Sequence, residues 1–462
     1  MSAGPEEIIA ARRRPARLLQ RVVRVQPQEI AALLWACLYF FCLLASYYVL
    51  RPIRDALGLV GGTAHLPWLF LGTLTAMFVA NPLFSALVSR LPRRRFIPYT
   101  YRFFGLNLLL FFVLLQALPE RQQVYVARAF FIWTSVFNLF VVSVFWGFMA
   151  DGFSSAQGKR LFGFIGVGGT LGAIVGAGST TMLAHVLGPA NLLLLAAVLL
   201  ECAVFCVSRL ARRFDAAGIA EGRPIEPATA PGPQDSAPTL SYARWKPERA
   251  GGALDGIART LLSPYLLGIC AYMLLFTISA TLLYFEQAEI VNRSFHDSNT
   301  RTAFFARIDL LVNVLAILVQ AGLTGRIMST IGVGPTAALL PLITLVGFLL
   351  LVRSPTLALL MGVQVARRAA DYAIARPARE VFFTVVRRDE KYKAKSFIDT
   401  FVYRGGDAVG AGVSGLIRAL GGGLATTTIL AVPLTLIWAA VALLLGRRQE
   451  QLARRRADSA SV

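Results

Sequence analysis

Acidic and thiol-bearing side chains are scarce in this chain, and what is missing narrows the chemistry. Its 462 residues include 25 Asp and Glu against 46 Lys and Arg, with five Cys. Cys37, Cys42, Cys202, Cys206 and Cys270 all lie in apolar stretches without metal-ligand or disulfide spacing, so they read as small apolar fillers. No GxxxxGK[ST] phosphate loop is present, and no strand precedes the glycine-rich run at Gly166–Gly169. No nucleophile–base pair, paired carboxylate site or metal cluster suggests covalent catalysis, so neither an enzyme nor a cofactor is expected. Long polar stretches are lacking too, apart from residues 209–260, where Pro224, Pro227, Pro231, Pro233 and Pro238 stand among Ala, Gly and Ser in the manner of a linker.

What is there is apolar surface. The chain is 56% hydrophobic with a mean hydropathy of +0.62. Recurrent runs of 18 or more apolar residues mark membrane-spanning helices. We expect an all-α polytopic membrane protein with about 12 transmembrane helices. They fall near 30–50, 66–88, 97–118, 124–149, 162–187 and 190–208, then 261–284, 302–323, 331–352, 355–386, 396–418 and 424–446. The expected organisation is a basic tail (1–29), a six-helix bundle (30–208), the linker (209–260), a second six-helix bundle (261–446) and a basic tail (447–462). The first apolar run is too long for a cleaved signal peptide and reads as a permanent anchor.

The formal net charge of +21 would suit nucleic acid, but its placement argues otherwise. If the N-terminus lies inside, 31 of the 46 Lys and Arg fall in inner segments. That is the positive-inside pattern, which predicts both termini in the cytoplasm, and a bacterial inner membrane is the expected location. Anionic lipid headgroups are the natural partners of these basic loops. A monomer is compatible with this arrangement.

Ionisable groups at bilayer depth cost several kcal/mol unless they face a bundle interior or an aqueous cavity. The stretch 365–410 carries Arg367, Arg368, Asp371, Arg376, Arg379, Glu380, Asp399, Arg404 and Asp407 between apolar flanks. Arg368, Tyr372 and Arg376 are spaced by four and are expected on one helical face, with Arg379 and Glu380 a turn further on. Pro377 removes a backbone donor and is expected to bend the helix. Arg404 and Asp407, three apart, could simply pair. At the end of helix one, Tyr47, Arg51 and Asp55 share a face with Arg54 beside them. They could hold an anion bearing a ring, or form an interfacial ion pair. Glu286 and Glu289 read as a surface feature at the end of helix seven rather than as a proton site.

Two glycine patterns bear on packing and duplication. Gly168, Gly172 and Gly176 recur every four residues, the small-residue spacing that lets membrane helices approach closely. A constant offset of 236 relates Arg90 to Arg326, Lys159 to Lys395, Gly169 to Gly405 and Gly176 to Gly412. Two related six-helix halves suggest a major facilitator-like arrangement, with substrate bound where the repeats meet. Arg presents a permanently charged planar fork suited to phosphate or carboxylate, so the expected cargo is an organic anion.

Several segments resemble the nucleotide transporter family, the ATP/ADP translocases of plastids and intracellular bacteria. Tyr47 to Asp55 is similar to that family's Tyr-x-x-Leu-Arg-x-x-Lys-Asp motif, with Arg54 in place of Lys. Phe145 to Asp151, Lys159-Arg160 and Gly166-Val167-Gly168 resemble its Phe-Trp-x-Phe-Ala-Asn-Glu segment and the Ala-Lys-Arg-Phe and Gly-x-Gly segments after it. Arg376-Pro377-Ala378-Arg379-Glu380 and Ala394 to Asp399, then Arg404, resemble its Asp-Pro-x-Lys-Glu and Gly-Lys-Ala-Ala-Ile-Asp segments. The resemblance implies nucleotide (ATP/ADP) exchange, with Arg51, Arg54, Arg379 and Lys395 near phosphates and Asp151 as an essential acid. The chain departs from the pattern at Ala150-Asp151 for Asn-Glu and at Arg376 for Asp. Asp407 stands where Lys is expected. Two alternatives stay open: a major facilitator-type carrier of another metabolite or drug, with Asp371 or Asp309 carrying a proton, and a non-transporting scaffold.

Overall fold

The computed structural model describes residues 26, 29–90, 93–216, 263–386, 394–395 and 397–460, and every element among them is helical. Most of the expected basic tail, the linker from residue 217 and the basic loop at 387–393 lie outside the described residues. Helix α1 spans Ile30–Leu57, α2 Leu66–Arg90, α3 Arg93–Ala117 and α4 Glu120–Gly152, with a 3₁₀ turn at Thr63–His65 before α2. Helix α5, Ser155–Ala216, is two rods in succession. Gly188 leaves helical space (φ 75, ψ 161), a conformation that favours glycine, and Pro189 comes directly after it.

Helices α6 (Pro264–Ser294), α7 (Ser298–Gly322), short α8 (Thr324–Ile331) and α9 (Val333–Arg353) come next. α10 (Leu357–Ala370) runs through a π turn at Asp371–Ala375 into α11 (Arg376–Phe382). A second π turn, Ile398–Val402, leads into α12 (Tyr403–Ala419), and α13 is Leu424–Ala460. Nine described helices are long and apolar enough to cross a membrane, and the stretch Arg160–Phe214 within α5 has the length of two spans. The protein is an all-α polytopic membrane protein. Helix ends move outward from the sequence expectation: α5 continues to Ala216, α6 to Ser294 and α13 to Ala460. Beyond Gly446 the chain is rich in Arg, Gln, Glu and Ala, which favour helix and contain no breaker.

The chain divides into two compact units. The first contains Met1–Arg51, Ala80–Leu118 and Thr134–Lys246. Its centre is the contact of α1 with the first rod of α5, made backbone to backbone. A Cβ on Gly172 would stand 2.2 Å from the Phe41 carbonyl oxygen, and one on Gly176 would stand 2.4 Å from that of Ala45. The four-residue glycine spacing therefore does what close helix packing requires. The Ser46 hydroxyl donates to the Ala196 carbonyl on the second rod (2.9 Å). A buried aromatic cluster of Tyr39, Phe40, Tyr101 and Phe145 fills the space beside it, with the Tyr39 and Tyr101 hydroxyls hydrogen-bonded.

The second unit contains Pro52–Val79, Pro119–Trp133 and Pro247–Val462. Small residues again set its closest crossings. A Cβ on Gly446 of α13 would lie 2.2 Å from the Cα of Gly334 on α9. On α12, Gly406 and Gly410 abut Thr277 and Thr281 of α6.

Candidate functional site

The charged residues of the second unit are organised by its two π turns. Pro377 lacks the N–H that an α-helix would aim at the carbonyl of Ala373. That carbonyl accepts instead from the buried Thr324 hydroxyl of α8 (2.8 Å). The π turn just before Pro377 inserts extra backbone into the rod and rotates α11 relative to α10, a feature frequent at functional sites. Of the expected face of Arg368, Tyr372 and Arg376, the last two meet, while Arg368 is engaged elsewhere. Arg368 turns to α7 and pairs with buried Asp309. Arg376 pairs with Asp371 five residues back (3.2 Å) and lies 4.3 Å from the centroid of the Tyr372 ring. So the bend expected at Pro377 takes the form of a widened turn.

Other charges are paired as well. Arg404 binds Asp407 (3.1 Å), Asp407 accepts from the Thr281 hydroxyl (3.2 Å), and Arg404 lies over Tyr403 (5.4 Å). Lys395 donates to both oxygens of Glu380 (2.7 Å each). Arg54 binds Asp55 through two nitrogens (2.7 and 3.0 Å) and lies 4.9 Å from the Phe131 centroid, while the Tyr284 hydroxyl donates to the same carboxylate (3.2 Å). Arg379 reaches the Met273 sulfur at 3.0 Å. Asp399 is exposed on the second π turn.

Of the candidates, Arg54, Asp55, Arg368, Tyr372, Arg376, Arg379, Glu380, Lys395, Asp399 and Arg404 belong to the second unit, where their ion pairs are separate ones. The remaining candidates, Tyr47, Arg51 and Asp151, belong to the first unit. There Tyr47 packs edge-on against Tyr48, whose ring centroid lies 5.9 Å from the Arg51 guanidinium, and Asp151 is exposed at the end of α4.

One arginine stands apart. Arg367 is 8% exposed, and its guanidinium makes no hydrogen bond or ion pair among the described residues. Asp371, the acid one turn on, is engaged by Arg376. Asp371 acts on the Arg367 guanidinium through space without bonding it, and a buried guanidinium so placed suits a further anionic partner. Sequence spacing passed over Arg367 because a 3.6-residue period puts it off the face of Arg368 and Tyr372. The remaining signal was its position in an intramembrane cationic run.

Glu286 corrects a second expectation. Helix α6 continues ten residues beyond the expected end at 284, so Glu286 is not a surface group. It is 4% exposed, and neither carboxylate oxygen has a hydrogen-bond partner among the described residues. Glu289, one turn on, does meet other elements. It accepts from the Thr63 hydroxyl (2.8 Å) and pairs with Arg293 (2.7 Å) and Arg418 (3.2 Å).

No protein-family model matches the chain, and no curated protein matches it by sequence. Solved structures do match. A bacterial homologue of the iron transporter ferroportin, in an inward-facing state, aligns over 90% of this chain and 99% of its own, with TM-score 0.62 and 10% identity. A bacterial homologue of the human lysosomal transporter Spinster aligns over 93% and 99% (TM-score 0.57, 13% identity). The nucleoside transporter NupG aligns over 92% and 99% (TM-score 0.56, 12% identity). The fold is theirs. At these identities the likeness concerns architecture alone.

Proposed function

We propose that the protein is a secondary transporter that moves an organic anion by alternating access, with nucleotides as the favoured cargo through ATP/ADP-type exchange. The observation that carries this reading is Arg367, a buried guanidinium with no hydrogen bond or ion pair to a carboxylate among the described residues, in a rod that also holds Arg368, Arg376 and Arg379. A phosphate or carboxylate group offers such a cation the charge-assisted, bidentate partner it lacks. Tyr372 and Tyr403 already stack against guanidinium groups and present aromatic surface for a base or other ring. The fold shared with solved transporters supports a solute pathway, and the motif resemblance to nucleotide transporters supports the cargo. The alternative proton carriers Asp309 and Asp371 are both held in ion pairs. The basic inner segments favour an inner-membrane protein with both termini in the cytoplasm, which puts the Thr63 turn at the outer side.

The test is counterflow in proteoliposomes preloaded with unlabelled ADP, following labelled ATP, with empty liposomes as control. Uptake that requires internal nucleotide supports exchange. Its absence in folded, monodisperse protein removes the nucleotide reading, and other phosphorylated or carboxylated anions are then screened.

A further inference from the structure

We propose that Glu286 is a proton-binding site coupled to the opening of the outer side, an inference that rests on the transporter reading and its orientation. Glu286 sits inside α6 with both oxygens buried and hydrogen-bonded to nothing among the described residues. An ionised carboxylate there would be uncompensated in a low-dielectric interior, which is strongly unfavourable, whereas the protonated acid is neutral. The packed arrangement therefore accommodates the proton-bearing form, and an ionised Glu286 would require the surroundings to open to water.

The charged groups on the elements packed against α6, including Arg379 against Met273 far along the helix, do not bond Glu286. On α6 itself, Glu289 is committed to Thr63, Arg293 and Arg418. From α12 come Arg404 and Asp407, paired with each other, and Arg418. From α10 come Arg367 and Arg368, the latter bound to Asp309 of α7. Arg301 of α7 hydrogen-bonds the Phe295 carbonyl and Asn292. The end of α1 brings Arg54 paired with Asp55. His65 in the 3₁₀ turn and Asp399 in the second π turn are exposed, Arg353 ends α9, and α13 carries no charge between Leu424 and Leu445. None of these forms a hydrogen bond or ion pair with Glu286.

Position supplies the coupling. Glu286 lies one turn from Glu289, through which α6 holds the turn after α1 and the end of α12. Parting the Thr63–Glu289–Arg418 cluster would expose the end of α6 to outer water, from which the Glu286 carboxylate can take a proton. Closing the cluster then buries the neutral acid, and the proton returns to water when α6 is next uncovered.

The test reads this movement without any cargo. His65→Cys and Leu420→Cys, spin-labelled after replacement of the five native cysteines and reconstituted in lipid, report the separation across the cluster by double electron–electron resonance. With Glu286, alkaline buffer should shift the distances toward a longer population. Glu286→Gln, permanently neutral, should remain in the short population at every pH, and Glu286→Asp should respond as Glu286 does. A pH response that survives in Glu286→Gln, or is absent with Glu286, overturns the proposal, as does an Asp variant that behaves like Gln. His65 is replaced in this pair, so its imidazole cannot supply the response. Nucleotide counterflow measured on the same preparations reports separately: its failure removes the nucleotide reading and leaves the distance result to decide the proton site.

Discussion

Two neighbouring arginines, Arg367 and Arg368, make opposite predictions because one is paired and the other is not. Arg368 and Asp309 are both nearly inaccessible, so removing either leaves a buried charge alone, at a cost of about 3–5 kcal/mol. Arg368→Met or Asp309→Leu alone should lower the thermal unfolding midpoint sharply. The double replacement should recover most of the loss, since no orphan remains. A double variant as unstable as the sum of the singles would mean the pair does not act as a unit. Arg367→Gln removes a cation that orphans no acid, so the unfolding midpoint should hold or rise. Anion uptake should nevertheless fall by about ten- to a hundredfold, the worth of one charge-assisted hydrogen bond. Uptake unchanged by Arg367→Gln would remove the anion-clamp reading. The Arg54–Asp55 pair bears on the same point: Arg54→Ala frees a buried carboxylate and should cost both stability and transport.

At the level of elements, glycines and one acid decide how helices meet. The backbone contact of α1 with α5 leaves no room at Gly172, so Gly172→Ala must push the helices apart, at a cost of about 1–3 kcal/mol. Gly163→Ala, on the same rod with nothing within 4 Å of its Cβ, should be neutral or slightly stabilising in the same melting assay. Glu29, just before α1, ties that helix to the start of α5 through Gln157 (2.9 Å) and Arg160 (2.9 Å). Burial alone would raise its carboxyl, but the Gln26 N–H, the Gln157 amide and Arg160 outweigh it and hold it below the usual range. For a lowered acid the stabilisation is present above the unfolded value of about 4.3 and is lost as pH falls through the lower folded value. The stability advantage of the native chain over Glu29→Gln should therefore persist at neutral pH and vanish in acid. The glycine contact was legible in the sequence because small residues at four-residue spacing have a single helical geometry. The π turns were not. A 3.6-residue period assumes the ladder that Pro377 interrupts, which is why Arg376 was expected beside Arg368 and instead pairs with Asp371.

For the whole molecule, hydropathy placed most of the rods, because a bilayer-length apolar run leaves the backbone few choices but helix, whereas the expected spans at 355–386 and 396–418 are interrupted by π turns. It was weakest at helix ends, where a polar residue reads as the interface even when tertiary packing encloses it. Glu286 was misplaced for that reason: α6 continues past 284 and carries it into the interior. The orientation in the membrane rests on charge placement, and much of that charge lies outside the described residues, so it makes a prediction of its own. A green fluorescent protein fused after Val462 should fluoresce, since it matures in the cytoplasm. Alkaline phosphatase inserted at Asp297, the N-cap between α6 and α7, should be active, since it needs the oxidising outer compartment. The reversed pattern would place the Thr63–Glu289–Arg418 cluster on the cytoplasmic side. The Glu286 carboxyl would then exchange its proton with the cell interior when that cluster parts, inverting the direction in which a proton gradient could drive the cargo.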